Sequence, residues 1–154
     1  MKKKILFLLP MLTMALVFTS CSKDDEESGS FNVSGTSLIG TWAYVDEDSG
    51  KLGERRYSVP YYFTLTDGGL LTYSNYWGKT AYYKDGNIYS NSSAETDVRY
   101  HVVLKGNELY TDDGLLLARI KVIDSNHIRT FDNTYGSNYE DYVRVNNFML
   151  LSDY

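Results

Sequence analysis

From Leu38 onward the chain alternates apolar and polar residues in short runs and never sustains a helical period. Tyr57, Val59, Tyr61, Phe63 and Leu65 are interleaved with Ser58, Pro60, Tyr62 and Thr64. Val98, Tyr100, Val102 and Leu104 are interleaved with Arg99, His101 and Val103, and Leu116, Ala118, Ile120 and Val122 with Leu117, Arg119 and Lys121. A period of two sends successive side chains to opposite faces of a strand, so each run predicts one largely apolar face and one mixed face. Gly, Asn and Asp clusters punctuate the runs at Asp67-Gly68-Gly69, Asp85-Gly86-Asn87, Gly106-Asn107, Asp112-Asp113-Gly114 and Ser125-Asn126. These residues supply the positive φ that tight hairpins require. The pattern predicts an all-β protein of eight to ten strands with no connection long enough for a helical crossover. A meander of that length must close or leave an exposed edge, which favours an antiparallel up-and-down barrel; a two-layer sandwich is the alternative. The apolar tail Phe148-Met149-Leu150-Leu151 is expected to pack on the barrel as a last strand or a single helical turn.

The N-terminal stretch follows a different pattern. Lys2, Lys3 and Lys4 precede an apolar run from Ile5 to Phe18, interrupted by Pro10. Fourteen residues at 1.5 Å per helical residue span about 21 Å, short of the ~30 Å hydrocarbon core of a bilayer. This is the layout of a signal peptide. Thr19-Ser20-Cys21 resembles a bacterial lipobox, which implies cleavage before Cys21 and acylation of its thiol; an ordinary secretory signal cut elsewhere is the alternative. Acyl chains anchor a protein through about 0.8 kcal/mol per buried CH₂, which gives the only cysteine of the chain a role without a second thiol. Ser22-Lys23-Asp24-Asp25-Glu26-Glu27 resembles the lysine-plus-acidic tract of Bacteroidota lipoproteins displayed on the outer face of the outer membrane. Read without that likeness, it is a self-repelling acidic spacer. The expected organisation is a signal peptide at 1–20, an acidic, Ser/Gly-rich tether at 21–37 and a barrel domain at 38–154.

Two further segments bear on the kind of barrel. Leu38-Ile39-Gly40-Thr41-Trp42 opens the first strand, Phe63 to Gly68 forms a strand and turn, and Tyr142-Val143-Arg144 falls near the end of the last long strand. Together they resemble the lipocalin signature, most closely that of small lipocalin-like domains in Bacteroidota surface lipoproteins. The resemblance implies that Trp42 plugs the closed end of the barrel and that Arg144 lies across its ring, with Gly40 allowing close approach. Under it, Gly40, Trp42 and Arg144 close the barrel and touch no ligand.

Composition narrows the function. The 154 residues carry a net charge of −5, the wrong sign for neutralising nucleic-acid phosphates. One cysteine and two histidines leave little material for a disulfide framework or a metal centre, and no cofactor is expected. No Gly-x-Ser-x-Gly elbow is present, and the acidic pairs at Asp112-Asp113, Asp46-Glu47-Asp48 and Glu140-Asp141 are read as turn chemistry before catalysis, so no catalytic residue is assigned. The fifteen tyrosines are the informative excess. Tyr57, Tyr61, Phe63, Tyr73, Tyr82 and Tyr100 are the candidate barrel lining, apolar but carrying hydroxyl handles. A second set, Tyr62, Tyr76, Trp77, Tyr83 and Tyr89, is placed outward among Asn75, Asn87, Asn91 and Ser92, either to stack on sugars or to brace strand pairs. The leading expectation is a non-enzymatic, lipid-anchored protein of the outer-membrane surface that binds a small amphiphilic or saccharide-like ligand in its barrel. The alternative is an interaction module with a filled barrel docking an envelope partner.

Overall fold

The computed structural model describes residues 30–45, 57–132 and 138–151. Among them run β1 (Asn32–Val33), β2 (Thr36–Ser37), β3 (Gly40–Tyr44), β4 (Tyr57–Ser58), β5 (Tyr61–Leu65), β6 (Leu70–Asn75), β7 (Ala81–Lys84) and β8 (Asn87–Ser90). They continue with β9 (Glu95–Lys105), β10 (Glu108–Thr111), β11 (Leu116–Asp124), β12 (His127–Phe131), β13 (Tyr139–Val145) and β14 (Asn147–Leu150).

Eight of these strands close into a barrel in the order β3-β5-β6-β9-β10-β11-β12-β13, with β13 returning to pair with β3. Every pairing is antiparallel, so the barrel is the up-and-down meander that the hairpin rhythm predicts. Closure leaves none of the eight with an unpaired edge.

The inward rows of side chains build one core from Trp42, Phe63, Leu65, Leu71, Val102, Leu109, Ile120, Ile128 and Tyr142, all buried. On the closing pair Trp42 stands opposite Arg144, and Phe63 flanks Trp42 from the other side. The two halves of the signature, about a hundred residues apart in sequence, are therefore cross-strand neighbours. Trp42 has no exposed surface; its indole N–H donates to the Leu38 carbonyl at 2.9 Å, and the Arg144 guanidinium lies 4.2 Å from its ring centre. Arg144 also donates to the carbonyls of Ile39 and Ser37, stitching the last strand to the segment before the first. Gly40 has φ +121°, and a Cβ there would stand 3.2 Å from an Arg144 guanidinium nitrogen. Glycine thus meets a backbone and a steric demand at once.

The last part of the segment 21–37, expected as tether, is built into the domain. Residues from Ser30 on belong to the domain: Asn32–Val33 and Thr36–Ser37 form a small hairpin, and Phe31 and Val33 are each only 5% exposed in the barrel core. Two apolar residues embedded in a Ser/Gly-rich stretch suffice to pull it across the closed end. Phe31 packs against Gly69, where an added Cβ would fall 2.8 Å from the Val102 carbonyl oxygen and 3.1 Å from the Phe31 ring. Cys21 and the acidic tract lie outside the described residues.

The four remaining strands form a satellite sheet in the order β14-β8-β7-β4, with β14 parallel to β8. It covers the outer face of the barrel beside the closing pair. Ala43, Val59, Tyr76, Ala81, Ile88 and Val145 are buried between the two, with Tyr62, Tyr83 and Val143 packed against them. Ala43 and Val143 face each other across β3 and β13, and Tyr62 lies next to Ala43 on β5, so an outward row on three barrel strands becomes a second core. This covers Tyr62, Tyr76 and Tyr83 of the outward set, whose rings pack between the sheets, although Tyr62 does face outward from the barrel as read. The satellite sheet corrects two of the candidate lining residues. Tyr57 lies on β4 and Tyr82 on β7, in the satellite sheet, where Tyr82 stacks on Tyr89 with centroids 5.2 Å apart. The chain after Val145 leaves the barrel and adds β14 to that same sheet, with Phe148 against Tyr62 at 5.0 Å.

Candidate functional site

The two ends of the barrel differ. At one end Phe31, Val33, Leu38, Trp42 and Leu65 pack it shut. Along β13, Glu140 lies four residues from Arg144, about 13 Å at the rise of a strand, and so reaches the opposite end. There the inward row carries Tyr44, Tyr61, Tyr73 and Tyr100, all partly buried against the barrel core, together with Tyr142. Tyr44 and Tyr61, on the neighbouring strands β3 and β5, stack at 4.8 Å, and Tyr142 meets each edge-on at 6.0 and 6.3 Å. Offset and edge-on arrangements suit the ring quadrupole and hold the tyrosines as a rigid wall.

Two cavities open among these rings, of about 320 and 300 Å³. The first is walled by Tyr61, Tyr73 and Tyr100, with Ser74, Asn75, Asp97 and Trp77 at its rim. The second is walled by Tyr73, Tyr142, Glu140, Thr130 and Phe131, with Asp132 and Asn138 beside them. Tyr73 and Leu117 line both, so the cavities adjoin across these two side chains.

Two bulges shape this mouth. Leu109 pairs with Ala118 but Tyr110 with Leu116, which leaves Leu117 as the extra residue. Strict alternation along β11 predicts Leu116 inward; the bulge puts Leu117 against the core instead. On β9 the register skips between Val98 and Thr96, leaving Asp97 as the extra residue at the rim of the first cavity.

Glu140 is the polar centre of the wall. The Tyr61 hydroxyl donates to its Oε1 at 2.6 Å and the Tyr142 hydroxyl to its Oε2 at 2.8 Å. Burial, then the hydrogen bond to Glu140, raises the Tyr61 phenol well above its ordinary value. Burial, then the neighbouring Tyr73 and Glu140, does the same for Tyr142. Burial, with Glu140 adding to it, pushes Tyr73 up to about 12. All three phenols therefore keep their protons at neutral pH, and those of Tyr61 and Tyr142 donate to Glu140. No hydrogen bond joins the Tyr73 hydroxyl to another described residue, and it stands at the junction of both cavities.

Of the six candidate lining residues, Tyr61, Phe63, Tyr73 and Tyr100 lie inside the barrel, and the first, third and fourth reach the mouth. The sequence reading did not select Tyr44, Leu117, Asp97 or Glu140 as lining residues. Tyr44 follows Trp42 by two and could have been found by extending the same alternation. Trp77, placed outward by sequence, is 72% exposed and stands at the rim of the first cavity.

Glu140 and Asp141 cannot act as paired carboxylates, because they point to opposite faces of β13. Asp141 faces outward, where Arg129 grips it with two nitrogens at 2.8 and 2.9 Å and His127 Nε2 lies 3.1 Å away. The hydrogen bonds from Arg129 hold the Asp141 carboxyl below its ordinary value. A depressed carboxylate contributes stability above its unfolded value and loses it as the pH falls through the folded one. Asp141→Asn is expected to cost roughly 1–3 kcal/mol at neutral pH in urea unfolding, the range for hydrogen bonds to a charged group. The gap to the parent should narrow as the pH drops below about 3.8. A gap constant from pH 7 to pH 3 would show that the ion pair does not stabilise the fold.

Set beside known protein families, curated proteins and solved structures, the chain matches none of them.

Proposed function

We propose that this protein is a lipoprotein anchored through acylated Cys21 at the outer face of the outer membrane, and that the mouth of its barrel binds a small amphiphilic or saccharide-like molecule without transforming it. The observation supporting the binding half is the asymmetry of the barrel. One end is packed shut by Trp42 and its neighbours, while the other opens into adjoining cavities of about 320 and 300 Å³ walled by tyrosines. Ligand pockets usually run from ~300 to 1,000 Å³ and combine apolar surface with placed polar groups; here the first cavity is the more apolar, and the second carries Glu140. The anchoring half draws on the lysine-led apolar run, the lone Cys21 and the acidic tract behind it.

Trp77 provides the readout for binding, since it stands exposed at the rim while the other tryptophan is buried at the far end. Titration of soluble amphiphiles and mono- and oligosaccharides is expected to yield saturable changes in Trp77 emission for at least one compound class. Leu117→Trp, filling the junction of the cavities and recorded by NMR or calorimetry, should weaken that binding by about tenfold or more, or about 1.4 kcal/mol. Binding of equal strength to the filled variant would overturn the mouth as the site. For the anchor, metabolic labelling with a palmitate analogue should mark the parent and not Cys21→Ala; label kept by the variant would overturn it.

A second reading, docking of an envelope partner, draws on β14. It is an edge strand whose Phe148, Met149 and Leu150 are 50%, 46% and 70% exposed. Such an edge can accept a further strand.

A further inference from the structure

We infer that the molecule held in the barrel mouth carries a positively charged nitrogen, an amine or quaternary ammonium on a ring or short apolar body. This deepens the binding reading above and rests on it. The described residues lining the two cavities include no lysine, arginine or histidine, yet they include Glu140, Asp97 and Asp132. Asp132 has an interaction of its own, so the charges that matter are Glu140 and Asp97.

Glu140 is the stronger of the two. A carboxylate offers about four acceptor positions, and the hydroxyls of Tyr61 and Tyr142 use one on each oxygen. The rest belong to a charge set in the wall of the second cavity, beside Tyr73, Tyr142 and Phe131. Phenol faces attract cations through the ring quadrupole, and that attraction grows when water is excluded. The three phenols around Glu140 resist ionisation, so they present neutral faces and add no competing charge. An anionic headgroup entering the mouth would meet Glu140 and Asp97 without any lining cation to offset them. A neutral sugar would find stacking surfaces and could donate hydroxyls to the carboxylates, but it would bring no charge to offset theirs.

The test uses the full-length chain and three soluble probes of similar body: phenethylamine, 2-phenylethanol and 3-phenylpropionate, followed through Trp77 emission. The amine should bind about tenfold or more tighter than the alcohol, with the propionate weakest, in keeping with a cation held beside a carboxylate and aromatic rings. Glu140→Gln keeps an acceptor oxygen for one of the two tyrosine hydroxyls and should bring amine and alcohol to within about threefold of each other. Asp97→Asn, on an exposed bulge where folding is not at stake, should reduce the preference by a smaller factor. Equal affinity for amine and alcohol, tighter binding of the propionate, or a preference unchanged in both variants would overturn the inference. If the alcohol binds as well as the amine and Leu117→Trp blocks both, the pocket stands and only the charge assignment falls. If no probe binds and the wider amphiphile and sugar panel also fails, the binding reading falls with it.

Discussion

Trp42→Ala should lower the unfolding free energy by about 3–5 kcal/mol, the range for removing a buried large aromatic from a core. The indole is fully buried, it donates to the Leu38 carbonyl, and it is the plate on which the Arg144 guanidinium rests. Its removal therefore opens a cavity, orphans a buried acceptor and strips Arg144 of its aromatic partner in one step. Guanidinium denaturation followed by far-UV circular dichroism would measure the loss, with Trp77→Ala as the surface control expected within about 0.5 kcal/mol. A double-mutant cycle with Arg144→Met should give a coupling of about 0.5–2 kcal/mol for the cation–π contact. A loss below about 1 kcal/mol would mean that the closed end does not depend on the tryptophan.

Ile88→Ala should cost about 2–5 kcal/mol, as for other fully buried isoleucines. Ile88 lies on the satellite sheet with no exposed surface, against the outer row of Ala43, Val143 and Val145. The interest lies in where the loss is felt. In a Trp77→Phe background the only remaining tryptophan is Trp42, inside the barrel on the opposite face of β3 from the second core. If barrel and satellite unfold as one cooperative unit, the Trp42 transition must shift by the full amount. An unchanged Trp42 midpoint, with loss only in the overall dichroism, would show that the satellite opens by itself. The bonds that bridge the two sheets favour the single unit: Tyr83 donates to the Arg144 carbonyl at 3.3 Å, and the Asn146 amide donates to the Gly86 carbonyl at 2.7 Å.

Much of the barrel is legible in the chain because a period of two is local. Phe63 and Leu65, Val102 and Leu104, and Ile120 and Val122 each face inward as their alternation predicts. The same rule fails at Leu116 and Leu117, because one extra residue in a bulge reverses the faces from that point on. Tyr57 and Tyr82 were misplaced for a different reason. Their segments alternate like barrel strands, and no local pattern states which of two sheets a strand will join. In a protein with two cores, an outward-facing row such as Ala43, Tyr62 and Val143 can be as buried as an inward one.

The site shows the same division. Tyr61, Tyr73 and Tyr100 could be selected from aromatic excess and strand position. Glu140 could not, because beside Asp141 it reads as half of an acidic pair, and only strand direction separates a carboxylate set among phenols from one held by Arg129.

The chain alone determined that this protein is built of strands and that they follow one another as hairpins. Both follow from residue periodicity and turn chemistry, whereas the meeting of Gly40, Trp42 and Arg144 was expected only from a resemblance and is seen in the closing pair. The tertiary structure decided which strands leave the barrel for a second sheet, that Phe31 and Val33 belong to the core, and that the tyrosines and Glu140 gather at one open end. Those outcomes depend on register, bulges and sheet-on-sheet packing, which bring together residues far apart in sequence and carry no local signature.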